Sequence, residues 1–300
     1  MAVDPLQKNL SVFDTLQQLG LASLETQSVF APRTRDKEGL TVYRDTVSGV
    51  VYINDYYVGN ETYEGAEHRK DDFYKRIDWD YEYQQDQYRR LDAYKQFYTG
   101  KTVTEFGCWK GLFLREAASR GADVTGIELH RGYIEALVAD GYRCVDNPNQ
   151  ISPSTQDAVF AFHVLEHLPD PLSTLRDLRA LLTDTGTLIV EVPHASDFLL
   201  SNLQNEAFKN FTLWSQHLVL HTRESLRRLL MAAGFADVVI EGVQRYPLSN
   251  HLGWLANGKP GGHKSSLSAL ETPELRSAYE AALRKIDATD TLVAIARKAR

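Results

Sequence analysis

Residues 102–130 read TVTEFGCWKGLFLREAASRGADVTGIELH. Thr102–Phe106 is an apolar, β-branched run with the pattern of a buried parallel strand. Glu105-Phe106-Gly107-Cys108-Trp109-Lys110-Gly111 then makes a tight glycine-bearing turn. An amphipathic helix follows, with Leu112, Leu114, Ala117 and Ala118 at its apolar positions and Gly121 where a C-terminal cap belongs. A second strand over 124–129 carries Glu128 near its end. Strand, glycine turn, helix, strand and acid form the unit with which an open α/β sheet binds an adenosine. The glycines let the backbone approach the ligand, and the acid accepts two ribose hydroxyls. Trp109 stands where a dinucleotide site needs a small residue beside its pyrophosphate, which argues against NAD and for a phosphate-free cofactor.

The remaining chain fits this core. Three hundred residues suit one elaborated α/β domain. Two cysteines, Cys108 and Cys144, make neither a disulfide framework nor a metal spacing. The opening MAVDPLQKNL lacks a basic segment followed by an apolar run, and no stretch reaches the ~18 apolar residues of a membrane span, so a cytoplasmic protein is expected. A net charge of −7 disfavours a broad nucleic-acid surface.

Leu6, Leu10, Phe13, Leu16 and Leu19 have helical spacing that Gly20 would end, which suits a packing or dimerisation helix. Residues 41–53 read as a hairpin around Ser48-Gly49. Eleven of the 15 tyrosines fall between Tyr43 and Tyr98, joined by Phe73, Trp79 and Phe97. A helix is expected over 79–98, with Asp78 or Asp80 as its cap. Tyrosine joins a flat apolar body to a polar tip, so residues 1–99 read as a lid suited to sugars, rings or nucleosides as well as to plain packing.

From residue 100 the strands and helices alternate. A helix over 131–140 precedes a third strand at 142–145, followed by Asp146 and Asn147. The 157–162 run, entirely apolar after Asp157, is a central strand that empties into His163-Val164-Leu165-Glu166-His167-Leu168-Pro169-Asp170-Pro171. Asp170 caps the next helix, which has Pro171 in its first turn and Leu172, Leu175, Leu178 and Leu182 as its buried stripe. Strands at 187–192, 235–246 and 291–297 and a Thr222-capped helix over 223–233 complete a Rossmann-like α/β fold with a seven-stranded, mostly parallel sheet. An insertion at about 247–289 separates the last two strands. Its Gly258-Lys259-Pro260-Gly261-Gly262-His263-Lys264 run reads as a glycine-rich basic loop that could hold a diphosphate.

Glu105, Gly107 and Gly111 match the ends of the first motif of class I S-adenosylmethionine-dependent methyltransferases. Residues 163–171 resemble the LEHLxDP signature of the ubiquinone and type-11/12 subgroup. The resemblance implies a cofactor site built from Glu105, Gly107, Cys108, Gly111, Glu128, Asp146, Phe162 and His163, with Asp146 at the adenine edge. It also implies a histidine over the site from 211–222, where His217 and His221 are the candidates. Oxygen methylation needs a proton acceptor, and histidine suits neutral pH. On this family's pattern His167 is the expected base, with His163, Glu166 and His217 as the other catalytic candidates.

His163-x-x-Glu166-His167 also spells an inverted zinc-protease motif, but Pro169 and the preceding strand place it on a strand-to-loop segment rather than a helix. Related O-methyltransferases bind a divalent ion through Glu-x-x-Glu-His. His163 replaces the first glutamate here, so no metal is assigned. No cysteine precedes Cys108, so the zinc module of some sugar C-methyltransferases is absent.

The expected activity is O-methylation of a small molecule, best matched by a sugar such as a nucleotide sugar or surface-polysaccharide precursor. An RNA methyltransferase, an aromatic or quinone O-methyltransferase, a sugar C-methyltransferase and a non-catalytic cofactor-fold scaffold are the alternatives. A homo-oligomer is compatible with the sequence.

Overall fold

A computed structural model of the chain describes residues 11–64 and 79–299. Leu6, Leu10, Phe73 and Asp78 lie outside the described residues. Helix α1 (Val12–Gln18) starts at Ser11, whose side chain accepts from the Asp14 N–H while the Asp14 carboxylate accepts from the Ser11 N–H. Strands β1 (Gln27–Ala31), β2 (Val42–Asp45) and β3 (Val51–Ile53) follow, then α2 (Asn60–Glu64), α3 (Trp79–Ala93) and α4 (Lys95–Tyr98). The nucleotide-fold portion runs β4 (Thr102–Phe106), α5 (Leu112–Ser119), β5 (Asp123–Ile127), α6 (Arg131–Ala139), β6 (Arg143–Val145) and β7 (Gln156–Phe162). It continues with α7 (Pro171–Leu181), β8 (Leu182–Pro193), α8 (Glu206–Thr212), β9 (Val219–Leu220), α9 (Arg223–Ala232) and β10 (Phe235–Val243). Helices α10 (Leu248–Asn257) and α11 (Pro273–Lys285) precede the last strand, β11 (Thr291–Lys298).

The seven-stranded sheet has the order β10-β11-β8-β7-β4-β5-β6, parallel except for β11, which pairs antiparallel with both neighbours. From β4 the chain steps outward through β5 to β6 and then returns to the other side of β4 with β7. That reversal opens a crevice beyond the carboxyl ends of β4 and β7, where doubly wound sheets bind ligands. Val159, Phe160 and Ala161 of β7 are wholly buried, as a strand covered on both faces requires.

Two stripes shift from the expected positions. In α5 the buried side chains are Phe113, Leu114 and Ala117, and Leu112 is only half-buried. Phe113 turns inward because it packs on Phe160 (4.9 Å between ring centroids) and Phe162 (5.3 Å). In α7 the inner stripe ends at Leu181, and Leu182 already belongs to β8, which starts five residues earlier than its apolar pattern suggests.

The 41–53 hairpin is present as β2 and β3, paired Val42↔Ile53, but it belongs to a second, four-stranded sheet of order β1-β2-β3-β9. Strand β9 is only two residues long, so no periodicity marked it. Through it the N-terminal strands brace the loop after β7: Ile53 N–H donates to Leu218 O (2.9 Å), and Leu218 N–H donates to Glu166 O (2.7 Å).

The insertion is not a loop. It forms α10, α11 and two short 3₁₀ turns. Its glycines serve close packing: a Cβ at Gly262 would fall 2.0 Å from Ser249 O, and one at Gly253 would fall 2.8 Å from the Gly262 Cα. Its basic end is already paired. Lys264 Nζ lies 2.7 Å from Glu82 Oε1, and His263 Nε2 lies 3.0 Å from the same oxygen. The expected diphosphate cradle is therefore a latch onto α3.

Candidate active site

A cavity of about 840 Å³ occupies the crevice. Its floor is the turn after β4. Gly107 has φ +73°, and a Cβ there would meet Val164 Cγ2 at 2.5 Å, so the loops leaving β4 and β7 can touch only because residue 107 is glycine. Trp109 also adopts a positive φ of 50°, so the tryptophan keeps the left-handed turn at an intrinsic cost. Its ring meets Tyr83 edge-on at 4.2 Å. Cys108 is buried beneath this turn. Gly111, at φ +71°, starts α5.

Glu128 sits one residue past β5. Its carboxylate accepts from three backbone N–H groups: Trp109 (2.8 Å), Leu129 (2.9 Å) and His130 (2.9 Å). These bonds fix the acid at the strand tip and tie it to the glycine turn. Glu105 is buried at the end of β4, and desolvation pushes its carboxyl well above the usual range. Asp146 lines the cavity, but it is exposed and accepts from the Gln150 side chain at 2.5 Å. Phe162 is buried on the opposite wall, stacked on Tyr94 at 5.8 Å, with the Arg90 guanidinium 4.5 Å from its ring centre.

The loop after β7 carries the titratable cluster. His163 has φ +54°, a strained geometry for a non-glycine residue, and its N–H donates to Glu191 O at 2.8 Å. Its Nδ1 lies 3.2 Å from Glu166 Oε1, and its Nε2 is buried without a partner. Burial, with Arg245 and Arg90 nearby, holds this imidazole well below its usual pKa, so it is neutral. Glu166 is fully buried, and desolvation pushes it up to about 8. His167 Nδ1 lies 2.8 Å from the Gln216 carbonyl. A carbonyl only accepts, so Nδ1 carries a proton, and in the neutral ring Nε2 carries the lone pair. His217 packs beside it, with ring centroids 5.0 Å apart, and burial lowers its pKa well below the usual value.

One ligand atom each from Glu166, His167 and His217 lies within 4.8 Å of the others. Glu166 Oε2 and His217 Nδ1 are buried without partners, so this trio fits a divalent ion. Two imidazoles and one carboxylate suit zinc, manganese or cobalt better than magnesium. His163, which occupies the first position of the sequence motif, turns its Nδ1 to Glu166 and stands outside the trio. His221 is not at the site: it is buried under β9 with its Nδ1 3.0 Å from Ser225 Oγ.

Helix α3 contributes more than its sequence indicated. Glu191, at the end of β8, is wholly buried and accepts from Arg89 (3.0 and 2.8 Å), Arg90 (2.8 Å) and Tyr94 (2.7 Å). The paired guanidinium groups hold its carboxyl well below the usual range. Asp86 is bound by Arg245 and held at about 2. These pairs pin α3 across the crevice, where Tyr83, Gln87 and Arg90 line the cavity. Only Tyr83 fell under the expected tyrosine lid, and nothing in the local pattern singled out Gln87 or Arg90. Tyr57 and Tyr63 also line the cavity, whereas Tyr52 and Tyr98 are core residues and Tyr81 and Tyr88 are exposed. The far wall holds Arg35, Phe211, Trp214 and Gln216.

Comparison with known proteins agrees with this geometry. The methyltransferase domain family matches residues 80–240, just over half of the chain. Similar curated proteins include the ubiquinone biosynthesis O-methyltransferases of Chromobacterium violaceum (36% identical over 97 residues, 29% of this chain and 42% of that protein) and Aeromonas salmonicida (28% over 165 residues, 50% and 69%). The chain spans less than half the length of the first of these. Among solved structures, the Burkholderia thailandensis 1,6-didemethyltoxoflavin-N1-methyltransferase is 18% identical with a TM-score of 0.50, over 85% of this chain and 97% of that one. That likeness is one of fold. With the family match over the crevice-forming residues, the chain belongs to the class I S-adenosylmethionine-dependent methyltransferases.

Proposed function

We propose that the protein moves the methyl group of S-adenosylmethionine to a hydroxyl oxygen of a small molecule, best matched by a sugar, with His167 receiving the proton. The observation that carries this reading is the His167–Gln216 bond. It fixes the tautomer that leaves a basic Nε2 in the same cavity as the cofactor turn. Carbon–sulfur cleavage and carbon–oxygen formation occur in line, and the released cofactor product is neutral. The protein's task is therefore to orient the oxygen, exclude water and accept one proton.

The cofactor side is Glu105, Gly107, Cys108, Gly111, Glu128, Phe162 and His163, with Asp146 toward the adenine. Glu166 positions His163, and His217 packs against the base. Should Glu166, His167 and His217 hold a divalent ion, it would supply Lewis acidity to the same hydroxyl in place of the His167 base.

Described residues of the N-terminal region, Arg35, Tyr57, Asn60 and Tyr63, and of the insertion, Asn250, Trp254 and His263, line the same cavity. Aromatic faces at Tyr57, Tyr63 and Trp214, interleaved with Arg35, Asn60 and Gln216, support a polyhydroxylated ring as acceptor. The ubiquinone names of the curated relatives favour a second reading, a phenolic ring hydroxyl. A parallel screen of nucleotide sugars, free glycans and phenols, followed by release of S-adenosylhomocysteine, separates the two. Turnover confined to phenols would reverse the order of these readings, and turnover with neither would remove both.

A further inference from the structure

The two cysteines of the chain meet beneath the cofactor turn. Cys108 belongs to the turn after β4 and lines the cavity, and Cys144 is the middle residue of β6, the edge strand of the large sheet. Gly126 of β5 lies between them and is the sheet partner of Cys144. A Cβ at Gly126 would fall 2.7 Å from the Cys108 Sγ and 3.1 Å from the Cys144 Sγ, so the two sulfurs fill the space that a side chain there would take. Gly126 has no positive φ, so its glycine answers to this close approach and not to the backbone. Both thiols are unbridged, and methyl transfer uses neither sulfur.

The pair is unequal. Side-chain contact with Cys144, then burial, raises the Cys108 thiol well above its ordinary pKa, and the same contact lowers that of Cys144. Cys144 is therefore the first to ionise, and at 8% exposed against 1% it is also the more accessible. The turn above the pair has no slack. The Gly107 and Cys108 N–H groups both donate to Ile127 O, at 2.8 and 3.2 Å, and the Trp109 N–H donates to Glu128 at 2.8 Å. A Cβ at Gly111 would meet Leu137 Cδ2 at 2.4 Å, so the far end of the turn is equally confined.

We propose that Cys108 and Cys144 are an oxidative modification site, at which a hydroperoxide closes a disulfide that weakens cofactor binding. The Cys144 thiolate attacks a peroxide oxygen: a sulfur–oxygen bond forms, the oxygen–oxygen bond breaks, and hydroxide leaves and becomes water. The Cys108 sulfur then attacks the Cys144 sulfur. The sulfur–sulfur bond forms, the sulfur–oxygen bond breaks, and the departing hydroxide takes the Cys108 proton. Two thiols lose two electrons, and one peroxide becomes two waters. A disulfide holds its sulfurs about 2.05 Å apart, well inside non-bonded contact, so closure draws residue 108 toward β6. That movement works against the Ile127 and Glu128 bonds that shape the turn. By reciprocity, bound cofactor favours the dithiol by the same factor. The effect on affinity rests on the cofactor reading above, and the bridge itself does not.

The test treats the full chain with hydrogen peroxide and reads its mass, its cysteine peptides and its calorimetric affinity for S-adenosylhomocysteine. In the wild type, peroxide should remove about 2 Da and join the Cys108 and Cys144 peptides. Affinity should fall by at least about fivefold, and dithiothreitol should restore it. Saturating S-adenosylhomocysteine should slow the closure. Reduced Cys144→Ser and Cys144→Ala should bind within about twofold of the wild type, which reports that the site is folded, and peroxide should leave their affinity unchanged. Mass gains in steps of about 16 Da with no joined peptide would overturn the proposal. So would a bridge that leaves affinity unchanged, or an equal loss of affinity in the Cys144 variants. A reduced wild type that forms the bridge yet never binds S-adenosylhomocysteine would instead refute the cofactor reading itself.

Discussion

Replacing Glu191 with glutamine removes one charge and no volume, and the structure sets the size of the effect. The carboxylate is wholly buried and takes four hydrogen bonds, from Arg89 twice, Arg90 and Tyr94. An amide keeps one accepting oxygen and turns an N–H₂ toward a guanidinium, so two charge-assisted bonds are lost, at about 1.5–3 kcal/mol each. The buried Arg90 also loses its charge partner while Arg89 keeps Asp86 at 3.6 Å, and breaking one side of a buried pair costs about 3–5 kcal/mol. The two routes agree on roughly 4 kcal/mol in Glu191→Gln, a large share of the stability of an ordinary domain.

The pH dependence has a definite sign. The folded-state pKa of Glu191 is depressed, so its contribution is present above the unfolded carboxylate value of about 4.3 and fades as pH falls toward the folded value. Urea denaturation at about pH 7 should show the full gap between wild type and Glu191→Gln, and the gap should narrow as pH falls below about 4. A gap under about 1 kcal/mol, or one that stays constant on acidification, would refute the claim that this carboxylate anchors α3.

Other perturbations follow from the site. Glu128→Ala should cost about 3 kcal/mol of S-adenosylhomocysteine affinity by calorimetry, and unchanged affinity would remove it from the ribose contact. His167→Ala should lower kcat by about a hundredfold or more while leaving cofactor affinity intact; near-normal turnover would pass the base role to His163 or His217. Glu166 carries a raised folded pKa of about 8, so between the unfolded value and pH 8 it loses stability as pH rises. Glu166→Gln should flatten that slope in denaturation curves across this range, and an unaltered slope would show that Glu166 is not a buried acid. Activity should survive exhaustive chelation. A loss restored by zinc, manganese or cobalt would assign the ion to Glu166, His167 and His217 and withdraw His167 as the base.

The features legible in the sequence were those whose cause is local. A glycine turn between a buried strand and a helix, followed by an acid at the next strand tip, requires only short-range geometry, and Gly107 and Glu128 stand together through Trp109 N–H. The strand that empties into His163–His167 was equally plain, because five successive buried residues admit few alternatives. What escaped depends on contacts far apart in the chain. Strand β9 exists only because β3 pairs with it, some 170 residues away. Gln87 and Arg90 sit in a helix whose polar face looks solvated until Glu191 is placed opposite it. The glycine-rich insertion looked like an anion loop because its glycines permit two backbones to touch, a cause that composition cannot separate from ligand binding. His217 and His221 were equivalent by spacing, and only the turn before β9 puts one in the cavity and the other in the core.

Methyl transfer from S-adenosylmethionine carrying a carbon-labelled methyl group, with the product read by nuclear magnetic resonance, tests the central claim most directly. The account predicts label on a hydroxyl oxygen of a small acceptor, one equivalent of S-adenosylhomocysteine per methyl transferred, and loss of both in His167→Ala. Label on carbon or nitrogen, or undiminished oxygen methylation by His167→Ala, would contradict it.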